Sequence, residues 1–405
     1  MSIIGTRTYG LRTPLIHDGD NLNGIIVDTF KKLSVHNAFT RTIKNIFGLE
    51  TLRLNDRDIL CITESIVARS QKNYITTEQI QSDIRSKIQG DHLGIVFPIL
   101  SRNRFAEILR SIAPVFKQIT IQLSWPADEV GNRLGVQRML GSRLAETSAD
   151  KVFNENEFRN FFGISEHECT GIDYIELYKS LGSNIRIIFS NNPQAILSYT
   201  DEVLAADIHT RAETKQELKE GGAKTVIGLD DIATESINGS GYNPEYGLLG
   251  SNLANEGRLK LFPRNGFEFV QEVQHDIIEL TGKIIEVLIF GDGAFKCPVS
   301  GIWELADPVV SPGYTDGLKG TPNEIKMKYQ IDKMVAAGKS RKEIEQDIDG
   351  MLRSLNITSQ LGTTPRQIPD LVGSWADLNS GSGGRGVPLV LIQGYFKNYS
   401  HQRAA

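Results

Sequence analysis

Residues 257–293 constrain this chain more than any other segment. Gly257–Phe262 reads as a strand, stopped by Pro263. A helix follows, with Val270, Val273, Ile277 and Leu280 on one face. Gly282 sits where a left-handed C-terminal cap belongs. Lys283–Phe290 is then a strand that runs out at Gly291-Asp292-Gly293. A strand, a helix and a second strand with short joints require a sheet with helices packed on it. The fold class expected is therefore α+β or α/β.

Other segments extend that frame. Asp56-Arg57-Asp58 is a polar turn before a short buried strand at Ile59–Thr63. Thr76 with Gln79 forms a capping box, and Ile80, Ile84 and Ile88 share the face of the helix behind it. Phe105, Ile108, Leu109, Ile112 and Phe116 make another apolar stripe, with Pro114 to end or kink that helix. Ile119–Leu123, Asn184–Ser190 and Thr225–Leu229 read as strands, 130–170 and 193–220 as helical, and Asn238–Gly250 as a loop. Residues 320–362 resemble a helical hairpin with its own capping box, Ser340 and Glu343. Val387–Gln393 is a closing strand. The division expected is 1–90 with 365–400 as one domain, 91–244 as an α/β insertion, 245–318 as a core strand–helix–strand domain, and 319–364 as a helical insertion.

Charge and cysteine content exclude several classes. Lys+Arg 44 against Asp+Glu 49 gives a net charge of −5, so no global basic balance argues for nucleic acid. Ile284–Phe290 and Val387–Ile392 are the longest apolar runs. Both fall far short of the about 20 residues of a membrane span. Cys61, Cys169 and Cys297 are too few and too scattered for a disulfide framework or a paired-cysteine metal site. A cytoplasmic location is expected.

Three constellations offer chemistry. Gly381-Ser382-Gly383-Gly384-Arg385-Gly386 has glycines that can present backbone N–H groups to an anion, with an arginine for phosphate. It is equally a loose connection before the last strand. Asp292, between two glycines at a strand end, suits Mg²⁺ or Mn²⁺, or simply a tight turn. Asp230-Asp231, Asp307 and Asp316 are further acids, more often turn or cap residues. The histidines show no metal-ligand spacing. His275 falls off the apolar stripe of its helix and is expected in solvent, and His209-Thr210-Arg211 at the surface. No nucleophile motif supports covalent catalysis.

Five blocks in order resemble the coenzyme F420-0:γ-glutamyl ligase family. Pro14–Leu22 (PLIHDGDNL) is similar to that family's P-L-I-x-x-G-D-D-L, and Asp58–Arg69 to its G-D-x-L-V-V stretch, with Arg69 at a family lysine. Gly247–Asn252 (GLLGSN) falls on G-I-D-A-S-N, Ile278–Asp292 on a helix–strand ending in T-D-T, and Gly381–Gly394 on a Gly-rich loop and closing strand. The resemblance implies two intertwined α/β domains in a homodimer. It also implies the joining of L-glutamate to a small acidic substrate through an acyl phosphate. GTP would be co-substrate, with Mg²⁺ or Mn²⁺, and K⁺ as a further candidate cation. A carboxylate is a poor electrophile, and phosphorylation makes it a good one. Carried over residue by residue, Thr13, Pro14, Leu15, Ile16, Glu64, Ser65, Arg69, Asn252 and the Gly381–Gly386 loop would line the nucleotide site. Asp292 and Arg69 would be catalytic, and Asp292 would hold the metal.

Two departures stand out. The family's metal-binding Asp of G-I-D-A-S-N is Leu249 here, and the T-D-T carboxylate falls on Gly291, with Asp292 one residue later. The alternatives are a non-catalytic or regulatory homologue that keeps the fold and cleft, and an unrelated acyl or phosphoryl transferase. No nucleic-acid or membrane partner is expected.

Overall fold

A computed structural model describes residues 5–33, 52–134, 151–163, 166–167, 170–255, 257–293, 295–296, 303–304, 307–322, 326–353, 366–380 and 386–396. Its centre is a mixed five-stranded sheet in the order Arg7–Leu11, Leu389–Gln393, Ile59–Thr63, Glu286–Phe290, Gly313–Tyr314. The middle strands are apolar at consecutive positions because both faces are covered. Leu60, Ile62, Val287, Ile289, Leu389 and Leu391 face the helices Leu22–Leu33 and Gly266–Thr281. Ile59, Cys61, Leu288, Phe290, Val390 and Ile392 face the helix Ile368–Ser380.

The helix Gly266–Thr281 buries Val270, Val273 and Ile277 as its periodicity predicts, and Gly282 ends it at φ 66°. The strand after it lies parallel to Ile59–Thr63, with Glu286 opposite Ile59 and Phe290 opposite Thr63. Leu389–Gln393 runs antiparallel on the other side, between the two N-terminal strands. One sheet thus crosses the line drawn between 1–90/365–400 and 245–318. Ile59–Thr63 has two hydrogen-bonding edges, and each of those segments fills one.

A second sheet lies within 91–244, and its core also takes in Ile80, Ile84 and Ile88 before it and Leu248 and Leu249 after it. The sheet of this α/β unit runs Phe153–Asn154, Ile185–Phe189, Gln118–Leu123, His92–Val96, Glu202–Ala205, Thr225–Gly228. The last five are parallel and follow the 3-2-1-4-5 order of a doubly wound fold. The strand order reverses between His92–Val96 and Glu202–Ala205, and crevices at such points take ligands.

Two local expectations need correction. The stretch 193–220 is not all helical, because Glu202–Ala205 is a buried strand between the 3₁₀ turn Pro193–Ser198 and the helix Arg211–Glu220. Glu202 disguised it. Its carboxylate is buried, accepting the Gly90 N–H at 2.6 Å and pairing with Lys224. In 130–170 the helix observed among the described residues is Glu155–Phe162, capped by Asn154 and Glu157. Residues 135–150, 164–165 and 168–169 lie outside the described residues.

Smaller pieces complete the frame. Asn252–Asn255, Arg258–Lys260 and Tyr74–Thr76 make a three-stranded antiparallel sheet. Phe295–Lys296 pairs with Trp303–Glu304. Met327–Ala336 and Arg341–Arg353 are the expected hairpin, with Met334, Ile344 and Ile348 as its private core. Buried Asn73 ties the Asn238–Gly250 loop down. Its amide donates to the Tyr242 and Phe262 carbonyls, and its oxygen accepts the Tyr242 N–H.

The Thr76–Gln79 capping box forms as read from the sequence. The Gln79 N–H reaches Thr76 Oγ1, and the Thr76 N–H reaches Gln79 Oε1. Thr76→Ala removes the side-chain half of this box. It should cost about 1 kcal/mol of stability, read as a lower urea midpoint at unchanged slope.

Candidate active site

Parallel strands put their carboxyl ends on the same edge of a sheet. Ile59–Thr63 and Glu286–Phe290 are parallel and in register, so the residues following them emerge side by side. Glu64 comes directly after the first and opens the helix Glu64–Ser70. Gly291-Asp292-Gly293 comes directly after the second. The backbone N–H of Asp292 donates to Asp307 Oδ2 at 3.2 Å, and that of Gly293 to Asp377 Oδ2 at 3.1 Å. A Cβ placed on Gly291 would lie 3.3 Å from Asp307 Oδ2 and 3.7 Å from Glu64 Cγ. Glu64, Asp292 and Asp307 therefore gather around one strand end.

The two glycines beside Asp292 are not there for a left-handed turn, since neither has positive φ. Close approach requires Gly293. A Cβ there would meet Ser374 Cα at 2.9 Å and Asp377 Cβ at 3.2 Å. The helix Ile368–Ser380 presses directly on this loop.

Arg104 closes the site from the other side. It precedes the helix Phe105–Ile112, in the loop that follows His92–Val96 at the switch point of the α/β unit. Its Nη2 donates to Asp292 Oδ2 at 2.9 Å, and its Nη1 donates to Asp307 Oδ1. The pair with Asp307 is buried, while Asp292 is half-exposed. Burial opposes the charge on Arg104, but the two carboxylates outweigh it and hold its pKa above the ordinary value. Burial pushes Asp307 up, against the pull of Arg104.

Lys260 is the second cation. It donates to Ser65 Oγ and stands 3.7 Å from Glu64 Oε1. The other Glu64 oxygen, Oε2, is buried and has no hydrogen-bond partner among the described residues. Burial raises the Glu64 carboxyl from 4.5 to about 7, despite Lys260, with Asp307 and Asp292 adding to the rise. A buried carboxyl poised near neutrality is the signature of an acid–base group.

The residues expected at the site divide into groups. Glu64, Ser65 and Asn252 come together, because Asn252 pairs with Lys260 across the small sheet and Lys260 holds Ser65. Thr13, Pro14, Leu15, Ile16 and Arg69 also come together, at the other end of the helix that begins with Glu64. Arg69 Nη1 donates to the Ile16 carbonyl at 3.3 Å, Thr13 Oγ1 donates to the Pro14 carbonyl, and Leu15 points into solvent. One helix carries both clusters, ~7 Å apart along its axis at 1.5 Å per residue. Gly381, Ser382, Gly383, Gly384 and Arg385 lie outside the described residues, and with them the expected approach of Arg385 to Arg69. Gly386, at φ 64°, leads into the last strand.

Other acids are elsewhere. Asp230 and Asp231 pair with Arg211 and Lys215 on the α/β unit, and Asp316 opens a 3₁₀ turn beside Lys319. His275 is exposed, as its place off the stripe predicts. The His209-Thr210-Arg211 stretch does receive an acid, but it is the protein's own. The Glu129 carboxylate accepts the N–H groups of Ile208, His209 and Thr210.

A divalent ion does not fit Asp292 as the side chains stand. Asp292 and Asp307 are already held by one guanidinium. Leu249 is buried, lining a small apolar cleft with Ile99, Phe105, Leu248 and Arg104. It supplies no oxygen where the family pattern has a carboxylate.

The F420-0:Gamma-glutamyl ligase family matches residues 10–394. The chain belongs to this family. The match covers nearly all of it and runs across the segments read from sequence as insertions. No curated protein matches the chain. A family of γ-glutamyl ligases supports a ligase-like enzyme with small-molecule substrates. No helix among the described residues is long and apolar enough to cross a membrane.

Glu64 makes stability depend on pH. Its folded pKa, about 7, lies above its ordinary 4.5, so the folded state holds a proton the unfolded state has lost between those values. The stability this proton brings is complete below 4.5 and is lost as pH rises to about 7. Glu64→Gln keeps the neutral form at every pH. Wild type should lose stability relative to this variant by up to ~1.4 kcal/mol per pH unit across that window, and none above it. Paired urea melts at pH 5 and pH 8 measure the difference. A constant offset would mean that Glu64 titrates normally.

Proposed function

We propose that the chain is an acid–amino-acid ligase that uses GTP to join L-glutamate, through its α-amine, to a small acidic acceptor. The acceptor carboxylate attacks the γ-phosphorus and GDP leaves. The amine then attacks the acyl-phosphate carbonyl, forming the amide bond and releasing phosphate. The amine must lose a proton in that second step. The observation that carries the proposal is Glu64, a buried carboxyl with one unpartnered oxygen and a pKa near 7, beside Lys260. Glu64 Oε2 would take the proton from the attacking amine. Lys260 would stabilise negative charge on the transferring phosphoryl oxygens. No step is routed through a metal ion, because Asp292 and Asp307 are engaged by Arg104. GTP, the acyl phosphate, a K⁺ requirement and the homodimer belong to this proposal as expectations drawn from the resemblance.

A second reading, a regulatory homologue without turnover, has one observation in its favour. Leu249 leaves the family's carboxylate position apolar. Phosphate release decides between the two. Release from GTP that requires both L-glutamate and an acidic acceptor supports the ligase. No release with any acceptor in a panel of small carboxylic acids, in protein that binds GTP, supports the regulator. In an active preparation, Glu64→Gln should lower kcat by 10²–10⁴-fold, the range of a lost general base. The wild-type rate should rise with pH through about 7 as Glu64 ionises. An unchanged rate or pH profile in Glu64→Gln would remove Glu64 from this role.

A further inference from the structure

We infer that Arg104 is a resident cation in the place where a divalent metal ion would serve this acidic cluster, and that it keeps such an ion off Asp292. The inference concerns the site of the proposed ligase. It rests on that reading only for what the cation would do in catalysis. The geometry stands independently.

A protein-bound Mg²⁺ or Mn²⁺ takes carboxylate oxygens at about 2.0–2.1 Å in an octahedral shell. The acids near the strand end are Glu64, Asp292, Asp307 and Asp377, the last of which accepts the Gly293 N–H. Arg104 spans the second and third with two separate nitrogens. Asp307 is committed further, since its Oδ2 accepts the Asp292 backbone N–H. Glu64 is next to Lys260. Among the described residues, the group of three or more ligand atoms all within 4.8 Å of one another is His275, Asp276 and Glu279, on the helix Gly266–Thr281. The acids at the strand end do not form such a group.

Four carboxylates lie at this strand end, and the resident cations Arg104 and Lys260 stand beside three of them, Asp292, Asp307 and Glu64. A divalent ion bound by Asp292 and Asp307 would have to take both carboxylates from a guanidinium that is itself largely buried. Leu249 removes a carboxylate that could have shared the metal's charge. Arginine also suits the position chemically. Its planar fork reaches two acids at once and it stays charged at every working pH.

The test is Mn²⁺ binding, followed by electron paramagnetic resonance of free Mn²⁺, with and without GTP. In wild type, Asp292→Asn should leave the titration unchanged within twofold under both conditions, because any ion present then rides on the nucleotide. Arg104→Gln should gain at least tenfold in Mn²⁺ affinity without GTP, and the double variant Arg104→Gln/Asp292→Asn should lose that gain. A fivefold or greater weakening of wild-type Mn²⁺ binding by Asp292→Asn would overturn the inference. So would a folded Arg104→Gln that gains nothing. Should Arg104→Gln fail to fold, the wild-type comparison with Asp292→Asn decides alone. Failure of the ligase proposal is read separately, as absence of acceptor-dependent phosphate release in the same wild-type protein.

Discussion

Burying negative charge without compensation costs more than almost any other error a fold can make, and this protein buries three carboxylates at one strand end. Asp307 and Asp377 are nearly inaccessible and Glu64 is largely buried, with Asp292 half-exposed beside them. An isolated ionised carboxylate in such a place shifts its pKa and neutralises instead. Asp307 and Glu64 answer this with different partners. Asp307 takes a guanidinium on one oxygen and the Asp292 backbone N–H on the other. Glu64 has an ammonium at 3.7 Å and one oxygen with no described partner, and its pKa rises. Burial raises the Asp307 carboxyl as well, so the two acids differ in their partners and not in the direction of their shifts.

That demand for compensation also explains how the α/β unit is seated. Its sheet, in the 3-2-1-4-5 order, presents a loop at the switch point, and Arg104 leaves that loop to reach Asp292 and Asp307. Phe105 and Ile108, just beyond it, pack into the unit's own core, so the arginine stands on a rigid base. Loss of Arg104 would strand Asp307 and remove a link between the α/β unit and the central sheet. Breaking one partner of a buried pair costs about 3–5 kcal/mol, far beyond what an exposed ion pair contributes. Lys260 makes a similar link from the small sheet to Ser65 and Glu64.

Much of the fold was legible because its strongest signals are local. Ile59–Thr63, Lys283–Phe290 and Val387–Gln393 are apolar on consecutive residues, which marks strands buried on both faces. The Thr76 and Ser340 capping boxes lie within four residues of sequence, and both form. Glu202–Ala205 was missed because it is four residues long and opens on a glutamate, whose partners Gly90 and Lys224 are not adjacent in sequence. The candidate site shows the same split. Glu64, Ser65 and Asn252 were found through resemblance, and Asp292 through its place at a strand end. Arg104 and Lys260 carried no local mark. Arg104 is 188 residues from Asp292, and only the docking of two sheets brings them together. Asp307 was visible as an acid in a Pro/Gly-rich stretch and, with Asp230 and Asp231, as a candidate to replace the carboxylate lost at Leu249, while Asp316 merely opens a turn.

Leu249 and Arg104 are best understood as parts of one arrangement. The family pattern places a carboxylate at position 249, and here the side chain lies in an apolar cleft that Arg104 also lines. An aspartate there would bring another negative charge into a cleft lined by Ile99, Phe105 and Leu248, with Arg104 at its edge. It would also compete with Asp307 and Asp292 for the same guanidinium. With leucine, the cleft stays apolar and Arg104 is left to the two acids at the strand end.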